Sequence, residues 1–435
     1  MKHAAPASEA GPITVIWQKV ITYILITLVG FNLRSVLLGV PPVLPLIQHD
    51  LRLSYTATGF LTALPVLVLA VGAWPSGLLA ERIGARLSVS IGLALLATGT
   101  LLRAFRLTTS SLFFFTLILS IGITLSQTAV PVLIRRWYPK QIGLASALFS
   151  DGLILGEAVA AGITVLIMVR FLGSDAWAST FVFWGMPVVV LFVLWLWLAP
   201  PAPVKVNRPH FSRSAKSLDV NSPIQRKSVN ALHLGILVGG GSLIYFGMNA
   251  WIASYNQALH QSYLTPVALL SLNAAQLPVS LAVTLVAQQI VGRRWPFIAA
   301  GIISTLAIIG WVFAPAALEP LWAALLGGSG ALVFTLGIAL PPLLAKPQEV
   351  GRLTGITLSL TYGVAFVGPF IGGALWDFFN LPAMAFVPVV IASIMLIVLG
   401  ALFPSRDSFG IPGETRPTSK GEHKPGTITS TPPIR

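Results

Sequence analysis

The sequence predicts an all-α membrane protein of twelve transmembrane helices, arranged as two pseudo-symmetric six-helix bundles. Three observations carry this. Of 435 residues, 55 % are hydrophobic and only 9 % are charged, whereas an average soluble domain carries roughly 25 % charged residues. Soluble folds expose only limited apolar patches, so lipid has to cover much of this chain. Second, twelve stretches meet the ~20 mostly apolar residues that a spanning helix needs. Third, one long polar interruption divides them six and six.

In chain order the stretches are 17–46, 56–79, 86–104, 111–134, 142–169, 177–199, 230–257, 265–291, 296–314, 320–344, 352–376 and 382–403. Pro41, Pro42, Pro65, Pro131, Pro278, Pro341 and Pro369 fall inside them. Membrane helices tolerate proline where neighbours satisfy the freed backbone groups. The first stretch is too long for a cleaved signal peptide and no small-residue cleavage site follows it, so it reads as the first span. The interruption, from Pro200 to about Ser228, holds Lys205, Arg208, Arg213, Lys216, Arg226 and Lys227 and reads as a linker. The stretch after Pro404, rich in Pro, Gly, Ser and Thr, reads as a disordered tail. The predicted organisation is a cytoplasmic N-terminal tail (1–16), a first bundle (17–199), a cytoplasmic linker (200–229), a second bundle (230–404) and a cytoplasmic tail (405–435).

Positive charge sets the topology. With the N-terminus inside, the outer loops hold only Arg52, Arg103, Arg106 and Arg170, and Arg34 lies within a helix; every other Lys and Arg falls on the inner side. This bias predicts both termini in the cytoplasm of a cell with the chain in its inner membrane. The formal charge of +14 is therefore distributed between spans and forms no basic face for nucleic acid. With no cysteine, disulfides, thiol nucleophiles and cysteine zinc sites are excluded. No Walker-type phosphate loop occurs, and the six histidines show no metal spacing. No cofactor or metal is expected, nor enzymatic activity. The expected partners are a small-molecule substrate, protons and the bilayer, with the chain acting as a monomer.

A weak internal repeat supports two related halves. Leu64-Pro65 is echoed by Leu277-Pro278, Gly84-Ala85-Arg86 by Gly292-Arg293-Arg294, and Val130-Pro131-Val132-Leu133 by Leu340-Pro341-Pro342-Leu343. Such a duplication predicts a site between the halves near the bilayer midplane.

After the second span the chain reads Gly77-Leu78-Leu79-Ala80-Glu81-Arg82-Ile83-Gly84-Ala85-Arg86. This resembles the signature loop of the major facilitator superfamily, over a chain region of about 15–404. Gly77 and Gly84 suit tight packing and a turn, while Glu81, Arg82 and Arg86 can form a charge network that assembles only when that side is closed. Asn32-Leu33-Arg34, Thr62-Ala63-Leu64-Pro65 and Pro131-Val132-Leu133-Ile134-Arg135-Arg136 resemble the cyanate / 2-nitroimidazole transporter family within it. That resemblance implies a small, compact cargo, either anionic or planar and azole-like.

Arg34 is the central candidate. It lies ~16 residues into the first span, which at 1.5 Å per residue is near mid-membrane. An arginine there costs ~2.5–3.5 kcal/mol on insertion scales and needs a partner or a wet cavity. It reads as a fork for a substrate anion or polar ring, or as half of a structural ion pair. Glu157, at matching depth in the fifth span, is its expected partner, either structural or as a proton switch. Asp151, ~120° around that helix and shallower, is a second acid for proton coupling or simply lines the inner vestibule. Further candidates to bind substrate are Asn32, Gln127, Tyr245, Asn249, Asn273 and Tyr362, with Gln276 of the same kind. Tyr255 reads as part of an interfacial aromatic belt. Glycines around Gly363-Val364-Ala365-Phe366-Val367-Gly368-Pro369 and Gly152–Gly156 read as close helix contacts. The fifth span lacks the proline of superfamily exchangers, which counts against the rival reading of a proton-driven multidrug exporter. A non-transporting membrane sensor is the more distant rival.

Overall fold

The computed structural model describes residues 12–105, 108–167, 177–201, 223–290, 292–340 and 350–403. Arg106, Arg170, Pro341 to Leu343, most of the linker and the tail after Phe403 lie outside them. All described elements are helical: α1 Pro12–Leu38, α2 Leu44–Leu51, α3 Tyr55–Ile83, α4 Ala85–Leu102, α5 Thr109–Trp137, α6 Ile142–Ile167, α7 Trp177–Leu198, α8 Pro223–Ala258, α9 Thr265–Ala274, α10 Gln276–Ile290, α11 Trp295–Phe313, α12 Glu319–Ala339, α13 Val350–Phe379 and α14 Val387–Leu402. Among the described residues, twelve helical segments are long and apolar enough to cross a membrane.

Two spans differ from expectation. The stretch 17–46 is not one helix. Pro41 and Pro42 lack the N–H groups that the Leu37 and Leu38 carbonyls would need. The chain passes through a 3-10 turn at Pro41–Val43 before resuming as α2. Likewise 265–291 breaks at Ala275, because Pro278 leaves the Ala274 carbonyl without its helical donor. A third difference is the start of α8 at Pro223, inside the stretch read as linker.

Two apolar cores divide largely by half, although Tyr245, Phe246, Tyr362 and Ala365 join the first and Ala161 joins the second. Leu33, Val66, Leu93, Leu133 and Val188 are buried together in the first. Trp251, Leu269, Phe297, Leu326 and Phe386 are buried together in the second. Tyr255 belongs to this second core, stacked edge-on against Phe386 and beside Trp311 at 5 % exposure, so the interfacial-belt reading is corrected. Its ring is worth more against other rings in a protein interior than at a lipid surface that apolar neighbours already occupy.

The bundle has two unlike ends. At one end α3 turns into α4 through Gly84, whose φ of +93° is a left-handed conformation that favours glycine. At the other end Asp377, near the end of α13, accepts hydrogen bonds from the backbone N–H groups of Tyr55 (2.9 Å) and Thr56 (2.7 Å) at the start of α3, and from the Thr56 hydroxyl. A carboxylate of one half thus caps a helix of the other, where free N–H groups and the helix dipole both favour an anion. Tyr55 stacks on Trp376 at 4.0 Å, and Phe60 meets Phe366 and Phe370. Gly59 and Gly373 bring the backbones of α3 and α13 together: a Cβ on either would lie 2.2 Å from the Pro369 or the Tyr55 carbonyl oxygen. The halves are zipped at the Asp377 end. Toward the Gly84 end, Gly77, Gly143 and Gly355 have open space where a Cβ would sit.

Candidate functional site

The site begins with two helices held unusually close. Gly152 and Gly156, one turn apart on α6, lie against the Thr27 and Phe31 carbonyls of α1; a Cβ on either would sit 2.2 Å from that oxygen. Gly30 reciprocates against the Phe149 carbonyl. Small residues at such a crossing let backbones touch where lipid supplies no squeezing force. The contact fixes the next residue along α6, Glu157, opposite Arg34, one turn beyond Phe31 on α1. Arg34 Nη1 lies 3.2 Å from Glu157 Oε1, with the two side chains 7 % and 6 % exposed.

This pair is an ion pair without an aligned hydrogen bond. The Nε and Nη1 of Arg34 are buried and find no hydrogen-bond acceptor. The guanidinium carbon sits 5.8 Å from the centre of the Phe246 ring on α8, within cation–π range. The Tyr362 and Tyr245 hydroxyls are electrostatic neighbours of Arg34.

The second half supplies the facing wall. Tyr245 and Asn249 stand at a spacing of four on α8 and so share one face. The Tyr245 hydroxyl donates to Asn273 Oδ1 on α9 (2.7 Å), and Asn273 Nδ2 donates to Asn249 Oδ1 (2.9 Å). Just past the Pro278-induced break, Gln276 Nε2 donates to Glu157 Oε2 (3.0 Å). Broken helices commonly furnish polar groups to transporter sites. A second bridge joins the halves where Gln127 Nε2 of α5 donates to the Tyr362 hydroxyl of α13 (3.0 Å). Glu157 thus has one oxygen on Arg34 of its own half and the other on Gln276 of the opposite half. Any motion that parts the halves at this level changes what the carboxylate holds.

Of the residues expected here, Arg34, Glu157, Gln127, Tyr245, Asn249, Asn273 and Tyr362 come together, joined by Gln276. Asn32 does not: it is buried, but its amide donates to the Leu28 carbonyl of its own helix (2.9 Å), and two residues from Arg34 it points elsewhere. Asp151 is exposed and makes no ion pair among the described residues. Asn256 serves the second core, donating to the buried Glu319. In the signature loop, Arg86 Nη2 donates to the Leu196 carbonyl at the end of α7 (3.1 Å), while Glu81 and Arg82 are exposed and unpaired among the described residues. Gly77 and Gly84 border open space. The charge network is therefore not assembled in this arrangement. The contacts that join the two halves at the Asp377 end are, by contrast, all in place.

Sequence reasoning missed Phe246 and Asp377. Phe246 adjoins Tyr245 among many aromatic residues of apolar spans. Asp377 is one acid at a helix end, and nothing in the sequence pairs it with the start of α3.

Comparison with known proteins places this geometry in context. The family model described as Major Facilitator Superfamily matches residues 22–326. The chain is 27 % identical over 391 residues to the uncharacterized transporter YycB of Bacillus subtilis, covering 88 % of this chain and 93 % of the relative. It is 26 % identical to the cyanate transport protein CynX of Escherichia coli, covering 86 % and 96 %. To the 2-nitroimidazole transporter of Escherichia coli it is 25 % identical, covering 86 % and 93 %. Among solved structures, a D-xylose–proton symporter superposes with a TM-score of 0.72 at 14 % identity, over 88 % of this chain and 97 % of the other. A bacterial homologue of the lysosomal transporter Spinster, in an inward-facing and unoccupied conformation, gives 0.70 at 12 % identity, over 91 % and 97 %.

Proposed function

Because the chain belongs to the major facilitator superfamily, we propose that it carries a small anion or small polar azole across the cytoplasmic membrane by alternating access, coupled to protons. The observation that carries this reading is the Arg34–Glu157 pair, buried between two halves and leaving guanidinium N–H groups without acceptors. A guanidinium in that condition binds a planar or linear anion through its free donors. Relatives named for cyanate and for a 2-nitroimidazole support a compact cargo.

In this reading the Gly84 end is cytoplasmic, with both termini on that side, and the structure is the state open to the cytoplasm. The single chain contains the whole transport path. Glu157 couples the proton. As a carboxylate it competes with substrate for Arg34; once protonated it releases the guanidinium to an anion. Proton and anion then move together as a neutral pair, which removes the ~2.3 kcal/mol per 100 mV that a lone anion entering against a negative-inside potential would cost.

Arg34→Ala tests the assignment. Purified protein is expected to keep its fold yet lose the rise in melting temperature that cyanate or 2-nitroimidazole gives the parent, since only a ligand of the native state shifts that temperature. Unchanged stabilisation in the variant would remove Arg34 from the site.

A further inference from the structure

A second arginine is buried without a carboxylate. Arg103, just past the end of α4 toward the Asp377 end, is 3 % exposed, and its Nε and Nη2 have no hydrogen-bond partner. Among the described residues no acid lies within ion-pair distance of it. Its guanidinium carbon sits 4.1 Å from the centre of the Phe181 ring, which covers one face. The chain places a permanent cation here at a considerable desolvation cost, and one ring face does not satisfy its N–H groups.

Arg103 borders a cavity of about 30 Å³ whose wall includes Thr62, Thr116, Phe246 and Asn249. A water needs roughly 10–15 Å³ on this measure, so the space suits a few heavy atoms. The other polar groups around it are already engaged. Thr62 donates to its own helix, as does Thr116, and the Asn249 amide donates to the Tyr245 carbonyl. Among the described residues lining the cavity, Arg103 alone carries a charge, and most of the rest of the wall is apolar. Phe246 is the partition: its ring lies under Arg34 and also lines the Arg103 cavity.

We propose that Arg103 forms a second anion site, on the Asp377 side of Phe246, for weakly hydrated monoanions of three or four heavy atoms. It receives substrate when the Asp377 end opens, before or after Arg34 holds it. An apolar wall selects against strongly hydrated anions, because their water shells have no replacement there. The site shares Phe246 and Asn249 with that of Arg34 but rests on a different guanidinium, and single variants of the two arginines score them separately.

Equilibrium dialysis of the purified full chain against [14C]thiocyanate, a linear monoanion, tests this. The expected result is two thiocyanates bound per chain in the parent, one in Arg103→Gln, one in Arg34→Gln and none in the double variant. Unchanged stoichiometry in Arg103→Gln overturns the proposal, as does a parent that binds none. If Arg34→Gln keeps two while Arg103→Gln keeps one, the Arg103 site stands and the reading of Arg34 fails. Should Arg103→Gln not fold, anomalous diffraction from selenocyanate-soaked crystals of the parent decides. A selenium peak beside the Arg103 guanidinium supports the site, and its absence there overturns it.

Discussion

Gly156 of α6 rests on the Phe31 carbonyl of α1 so closely that a Cβ would lie 2.2 Å from the oxygen. This backbone contact sets the distance between the charges of Arg34 and Glu157, each within one turn of it.

Gly156→Ala is expected to force the two helices apart. Overpacking of this kind costs about 1–3 kcal/mol, and it moves Glu157 away from Arg34. Thermal unfolding in detergent is expected to shift down and counterflow to fall. Gly143→Ala is the control for thermal unfolding, since open space surrounds Gly143; it should fall within about 0.5 kcal/mol of the parent. Equal losses in both variants would refute the contact as the cause.

Glu157→Gln mimics the protonated acid. In the parent, lowering the pH protonates Glu157 and frees Arg34, so anion binding strengthens as pH falls. The variant is expected to bind with the parent's low-pH affinity at every pH. Exchange of substrate for substrate should persist, while net transport loses its pH dependence. Uptake into proteoliposomes at several pH values reads this directly, and a profile identical to the parent's would exclude Glu157 as the switch.

Asp377→Asn removes the charge that caps α3 across the two halves. Hydrogen bonds to a charged group are worth about 1.5–3 kcal/mol, and every 1.4 kcal/mol is tenfold in an equilibrium. The variant is therefore expected to populate the state open at the Asp377 end at least tenfold more. The chain has no cysteine, so spin labels at Ala57→Cys and Phe378→Cys report the change without background removal. A distance distribution unmoved by Asp377→Asn would show that the stacked aromatic rings alone hold the end shut.

Tyr362→Phe deletes the hydroxyl that accepts from Gln127. One neutral hydrogen bond is worth about 0.5–1.5 kcal/mol net, so the state joined by this bridge should lose roughly two- to tenfold in population, with a modest fall in melting temperature and a matching rise in substrate KM. A large stability loss with KM unchanged would make Tyr362 a structural residue.

The spans were legible because each must bury its own backbone polar groups in lipid, and only a long apolar helix does so. Eight residues that gather at the candidate site were legible too, since a polar or charged group at mid-depth is expensive enough to need a reason. Their depth could be counted along the chain. What could not be counted was direction. Asn32 is as deep as Arg34 yet turns to its own helix, and Asn256 shares a face with Tyr245 and Asn249 yet serves Glu319. Both are choices of neighbour, which residue spacing does not encode.

The amino-acid order by itself determined a twelve-span membrane transporter in two halves, with a charged pair at its centre and a signature turn at one end. It did so through periodic constraints: apolar length, charge bias and glycine at a turn. Only the tertiary structure decided which end is shut, that Glu157 divides its two oxygens between Arg34 and Gln276, and that Asp377 caps a helix of the opposite half. Those facts join residues as far apart as Tyr55 and Asp377, and the physical reason is that a hydrogen bond depends on where two helices finally pack.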